Sequence, residues 1–339
     1  MRSKAKKTII YTLLLLLAAV MLYFAFRKVE WDQFVEGLKS CDYRWILATI
    51  ALQWLITYLR GNRWRIMMRP LSKEITRREA YDAYAICYLA NIPVPRSGEV
   101  VRCGLIAETG KASFEGALGS VVIERTWDLI CVVLACIPLF FVGTFRDFLV
   151  EKMFKPTAES LSISLLWIIL AAVVLCIAII LVLWFTRARW TTRKFGSKVA
   201  GFCKGLVDGV KAGFKMERKW AFFGYTLLIW VGYWLTSSWT IHAFPETSFM
   251  TGMDALFLMV VGSLGWIVPV QGGFGAYHFI VAMTLVPIYG FTYQTGLIFA
   301  TISHESQIVQ MLACGFISLI SWAIYRKKNN SKKYKPVTE

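Results

Sequence analysis

Histidine is nearly missing from this chain, with three among 339 residues, and charged residues make up only 17%. A polar shell built from so little charge cannot cover a soluble protein of this size. Acidic groups are scarcer still, 21 against 38 Lys and Arg. The eight cysteines include no C-x-x-C pair and fall mostly within apolar runs, so they read as small hydrophobes rather than metal ligands or disulfides. No ATP-binding motif, no paired-Asp metal motif and no Ser/His/Asp order is visible, so neither a nucleotide-driven machine nor a familiar hydrolase is indicated. No cofactor or metal set is expected. The first apolar run is not followed by a small-residue cleavage site and reads as a retained helix rather than a signal peptide.

What the chain has instead is hydrocarbon, at 57% hydrophobic and 15% aromatic residues. Residues 9–26, 44–60, 117–142, 162–186, 220–243 and 293–325 approach or exceed the roughly 20 apolar residues that cross a bilayer as a helix. The net charge of +17 is unevenly placed. The N-terminal tail, 61–79, 187–219 and the C-terminal tail hold 26 of the 38 basic residues, whereas 27–43, 143–161 and 244–254 hold six against nine acidic ones. Basic loops mark the cytoplasmic side, which puts both termini inside and assigns the excess charge to topology and anionic lipid rather than nucleic acid. The segment 187–219 alternates Lys and Arg with Phe, Val and Leu, the pattern of an amphipathic helix on the inner membrane surface.

Two apolar but interrupted regions remain, about 80–115 and 253–291, each with Pro and Gly at its centre. Each reads as a re-entrant pair of half-helices, because irregular backbone survives at membrane depth only beside protein or a wet cavity. An ordinary pair of kinked spans would preserve the same parity. Trp45 and Trp220 are 175 positions apart, as are Trp64 and Trp239, while "IPVPRSGE" and "IVPVQGGFG" align at an offset of 176. The expected architecture is an all-α polytopic membrane protein of two inverted-topology repeats, each of about three spans plus one broken hairpin. The first repeat is residues 1–142, the second 143–325, and a basic cytoplasmic tail covers 326–339. Inverted repeats with broken helices are a transporter signature.

Charge inside such a chain is costly and marks candidate sites. In "NIPVPRSGEVVR", Pro93 and Pro95 stop one helix, Gly98 permits a turn, and Glu99 and Arg102 share a face of the helix that restarts. With Arg96 just before that helix N-terminus, the corner suits a phosphate, although snorkelling to lipid headgroups would use the same arginines. In "ERTWD", Glu124 and Asp128 are i and i+4 with Arg125 adjacent, fit either for transport or for a locking ion pair from Glu124 to Arg96 or Arg102. Gly272, Gly273 and Gly275 of "QGGFG" allow close backbone approach, and His278, His304 and Glu305 are the nearby candidates for polar work.

The blocks "RGNRWR", "NIPVPRSGEVVR", "VVIERTWD" and "VPVQGGFGA" in this order resemble the transmembrane flippase domain of the bacterial lysylphosphatidylglycerol synthase and its stand-alone relatives. That resemblance implies movement of a lipid headgroup between leaflets, the lipid being a phospholipid, an aminoacyl-phospholipid or a polyprenyl-linked glycan. It assigns Arg60, Arg63, Arg96, Gly98, Glu99, Arg102, Glu124, Arg125, Asp128 and the Gly272–Gly275 turn to a polar core. His278 stands where relatives carry an acidic residue. The synthase's soluble aminoacyl-transfer domain has no counterpart in the 14-residue tail, so that transfer is not expected. The alternatives are a membrane-embedded transferase or hydrolase acting on a lipid phosphate, with Glu124 or Glu99 as base, and an accessory scaffold of envelope biosynthesis. Expected partners are membrane lipids, and either a second copy of the chain or an envelope-biosynthesis protein. The expected location is the inner, cytoplasmic membrane.

Overall fold

A computed structural model of the chain describes residues 29–139 and 214–333, most of 12–27, and residues 141 and 142. The expected span at 162–186 and most of the basic segment 187–219 lie outside the described residues. The chain divides into two compact units, residues 1–121 with 216–339 and residues 122–215. Among the described residues all regular structure is helical. Two stretches there, Gln271–Tyr289 and Tyr293–Lys327, are long and apolar enough to cross a bilayer.

Helix α1 (Trp31–Lys39) falls where the sequence predicts a connection. It forms because Phe34 is buried and the rings of Phe26, Trp31 and Phe34 pack together. Gln294 fastens its start, donating to Glu30 O at 2.8 Å and accepting from Glu30 N at 3.1 Å. Helix α2 (Tyr43–Met68) begins at Asp42, whose carboxylate accepts from Arg44 N. It runs eight residues beyond the predicted span end at residue 60, through the first part of what reads as a basic loop. The correction has a plain cause: Arg60, Arg63 and Trp64 point inward and are buried, so the helix has a protein face to follow.

Helix α3 (Arg77–Asn91) opens on a capping box between Thr76 and Glu79. It stops at Asn91, because Pro93 has no N–H with which to continue the helical ladder, while Ile92 itself keeps helical backbone. After the break, α4 (Gly98–Glu108) packs back on α3 as a hairpin. Helix α5 (Phe114–Leu139) carries Pro138 at its end. Helix α6 (Lys219–His242) leads to α7 (Gly252–Ile267), which starts on a Thr251/Asp254 capping box and ends before Pro269. A one-turn 3-10 segment, Gln271–Gly273, occupies the break, and α8 (Ala276–Tyr289) returns along α7 before a left-handed Gly290. Helix α9 (Tyr293–Lys333) is 41 residues long and packs against α1, α2, α3 and α8.

Helices α2 and α6 lie antiparallel and are joined at both ends. Asp42 N donates to Ala243 O at 2.8 Å, with Trp45 against Trp239. At the far end Glu217 accepts from Arg69 at 3.0 Å and Lys73 at 2.8 Å. Lys73 and then Arg69 hold the Glu217 carboxyl below the ordinary glutamate range. A depressed carboxyl favours the folded state above the ordinary value, about 4.3, and that contribution disappears as pH falls through the depressed one. Acidification is therefore expected to lower the thermal midpoint of detergent-solubilised protein by a small step that Glu217→Gln removes, and added salt should shrink the step.

Candidate functional site

Arginines from α2 and α4 meet aromatic rings from α2 and α3. Arg63, Arg102, Trp64 and Tyr84 each have no exposed surface, and Arg60 has 8%. The Arg102 guanidinium lies 4.8 Å from the Trp64 ring and 4.7 Å from the Tyr84 ring. Each such cation–π contact contributes about 0.5–2 kcal/mol, the upper end applying where water is excluded. Arg60 Nη1 donates to the Tyr233 hydroxyl of α6 at 2.6 Å and also sits over Tyr84. Trp64 is fixed in turn by its indole N–H, which donates to Ser120 Oγ at 2.8 Å.

The break between α3 and α4 carries Arg96 in left-handed backbone, φ 60°, the only non-glycine residue so placed among the described residues. Such strain costs about 1–3 kcal/mol and persists only where surroundings enforce it. Arg96 is exposed, and its Nη2 donates to Ile267 O at 3.2 Å, where α7 ends. The two breaks thus touch. Gly98 N donates to Asn91 Oδ1 at 2.8 Å, closing the turn, and Glu99 is half-buried in the first turn of α4. Beside this break an apolar cleft of about 470 Å³ runs between α3 and α9, lined by Leu89, Pro93, Leu312, Phe316 and Leu319 among others.

The second break gathers a different group. Gly272, Gly273 and Gly275 all have positive φ, and a Cβ on Gly275 would stand 2.6 Å from Leu22 N in the helical residues 18–26. His304 on α9 is fully buried and His278 on α8 is 1% exposed. His304 Nε2 lies 2.8 Å from Gly272 O, and its Nδ1 lies 2.9 Å from Glu305 Oε1. Trp266, Phe274 and Tyr277 surround the imidazole with ring centroids 4.9–5.3 Å away. A buried bond from Gln310 to Thr57 Oγ1, 3.0 Å, ties α9 to α2 between the arginine and histidine groups.

In the other unit, Glu124 is fully buried on α5. Arg125 faces outward and meets Asp128 at 3.8 Å on its own helix.

The transmembrane region of lysylphosphatidylglycerol synthase, as a family model, matches residues 10–315. The chain belongs to this family. A "UPF0104 membrane protein" from Methanothermobacter thermautotrophicus is 24% identical over 195 residues, covering 56% of this chain and 52% of that protein. The chain thus matches about half the length of that curated relative. No solved structure matches.

For a member of the lysylphosphatidylglycerol synthase transmembrane family, the sequence blocks brought together are those at Arg60, Arg63 and Arg102, with Arg96 nearer the second break and His278, His304 and Glu305 forming their own pocket. The aromatic half of the arginine site is absent from the sequence expectations. Tyr84 and Tyr233 are the residues overlooked, and one signal was available: Tyr81, Tyr84 and Tyr88 lie i, i+3 and i+7 along α3, a stripe on one helix face.

Proposed function

We propose that this membrane protein moves the anionic headgroup of a lipid between leaflets, with the headgroup passing the two touching breaks while the acyl chains remain in hydrocarbon. One observation carries the reading: exposed Arg96 stands in the same break as Pro93, whose ring lines the apolar cleft. A cationic head site beside an apolar cleft is the complement of a lipid. The cleft's volume is within the 300–1,000 Å³, roughly, of small-ligand sites. Arg96 would exchange the Ile267 carbonyl for a phosphate oxygen, a stronger charge-assisted acceptor. Arg60, Arg63 and Arg102 would supply the positive potential behind it, and Glu99 would offset that charge when the headgroup leaves.

The order of elements supports the inverted-repeat architecture. A long helix, a hairpin broken at Pro and Gly, and a second long helix occur twice. The capping residues Thr76 and Thr251 are 175 positions apart, the same offset as the paired tryptophans. Antiparallel α2 and α6 supply the opposite orientations. On this reading the protein is a multi-pass resident of the cytoplasmic membrane with both termini inside.

The test is a leaflet-exposure assay in proteoliposomes with a headgroup-labelled anionic phospholipid. Arg96→Ala should lower the translocation rate at least tenfold while leaving the size-exclusion profile unchanged, because the residue is exposed. A rate equal to wild type would remove Arg96 from the mechanism.

A further inference from the structure

The pocket at the second break holds more than packing. His278, His304 and Glu305 each offer one ligand atom, and these atoms all lie within 4.8 Å of one another. His304 is the informative member. Its Nε2 faces the Gly272 carbonyl, which can only accept, so the ring proton belongs on Nε2 and the lone pair on Nδ1. That lone pair points at Glu305 Oε1, another acceptor, 2.9 Å away. Two acceptors in contact require a positive centre between or beside them. His278 Nε2 approaches the same carboxylate oxygen at 3.7 Å, too long for a hydrogen bond but close for two ligands of one ion.

We propose that His278, His304 and Glu305 bind a divalent transition-metal ion of the zinc class. A proton would satisfy His304 and Glu305 but leave His278 idle, although its ring is 2% exposed and its Nδ1 has no hydrogen-bond partner. A metal uses all three. Ligands 2.0–2.1 Å from a tetrahedral ion stand about 3.3 Å apart, and the observed separations bracket that spacing. Two imidazoles and a carboxylate suit Zn²⁺, Co²⁺ and Ni²⁺ over Mg²⁺ or Ca²⁺. The Gly272 carbonyl holds His304 by its other nitrogen, the support that metal-bound histidines ordinarily have. Access is from the Glu305 side, where the side chain is 40% exposed. Three ligands leave a fourth position for water or an anion. Spacing along the sequence does not reveal the set because His278 and His304 come from different helices.

The inference is independent of lipid transport, and its test needs no activity. Untagged full-length protein in detergent, stripped with a chelator, is titrated with Co²⁺ and then Zn²⁺. One Co²⁺ per chain should bind with the intense visible bands of a low-coordinate site, and Zn²⁺ should displace it and raise the thermal midpoint. Glu305→Gln, nearly isosteric and partly exposed, should weaken binding at least ~10-fold, the smaller loss expected even for an outer partner. His278→Ala should do the same, and His242→Ala, at the end of α6, should not. Failure of folded wild-type protein to bind Co²⁺, a weak six-coordinate spectrum, or equal affinity in Glu305→Gln would overturn the assignment.

Discussion

Gly98→Ala is expected to destroy the first hairpin, and with it the folded protein. A Cβ at this position would lie 2.0 Å from Cys87 O, 2.7 Å from its carbonyl carbon and 2.8 Å from its Sγ. The obstacle is mainly backbone, which cannot rotate aside as a flexible side chain does. The same turn depends on Gly98 N reaching Asn91 and on Ser97 Oγ donating to Ala90 O, so α3 and α4 cannot separate without breaking both bonds. Ordinary overpacking costs about 1–3 kcal/mol, and this case should exceed that range. Gly104→Ala on the same helix is the matched comparison. Nothing lies within 4 Å of its added methyl, and alanine is a better helix former by about 1 kcal/mol. Size-exclusion profiles after graded heating should show loss of monodisperse protein for Gly98→Ala and a small gain for Gly104→Ala. A Gly98→Ala midpoint within a few degrees of wild type would contradict the described crossing of α3 and α4.

Arg102→Ala is expected to give the largest functional loss. The guanidinium is packed on the faces of Trp64 and Tyr84 with no exposed surface. Alanine forfeits both ring contacts, each contributing about 0.5–2 kcal/mol, and leaves their faces without the packing the side chain supplied. Headgroup translocation should fall to background and the thermal midpoint should drop. Arg102→Lys is the sharper experiment. Lysine keeps the charge but presents a compact ammonium that cannot lie flat between two rings. If planarity matters, Lys restores only part of the stability and little of the rate. If charge alone matters, Lys matches wild type, and the aromatic sandwich then has no functional role.

The hairpins were legible in the sequence because their signals are local. Pro93 and Pro269 each lack the N–H that would carry a helix onward, and the Gly-rich run after Pro269 announces a turn that ordinary residues cannot make. The arginine site was legible only as a list of charges. Which rings receive Arg102 depends on α2, α3 and α4 converging, and no spacing within one helix encodes that meeting. Residues 61–68 misled for a related reason. Arg63 and Arg65 read as cytoplasmic loop because the positive-inside rule counts charges without knowing which of them face inward. Arg63 is fully buried, whereas Arg65 reaches back to the Ile75 carbonyl at 2.6 Å.

The clasps joining α2 to α6 have a mechanical consequence. A rod pinned to its neighbour by Asp42 and Trp45 at one tip and by Arg69 and Lys73 at the other cannot slide lengthwise without rupturing a clasp. The two rods therefore act as a stationary axle. Under the proposed function, what travels during a working cycle would be the fractured arms that hang from it, and the bond from the Arg96 guanidinium to the Ile267 carbonyl is a joint that would have to open.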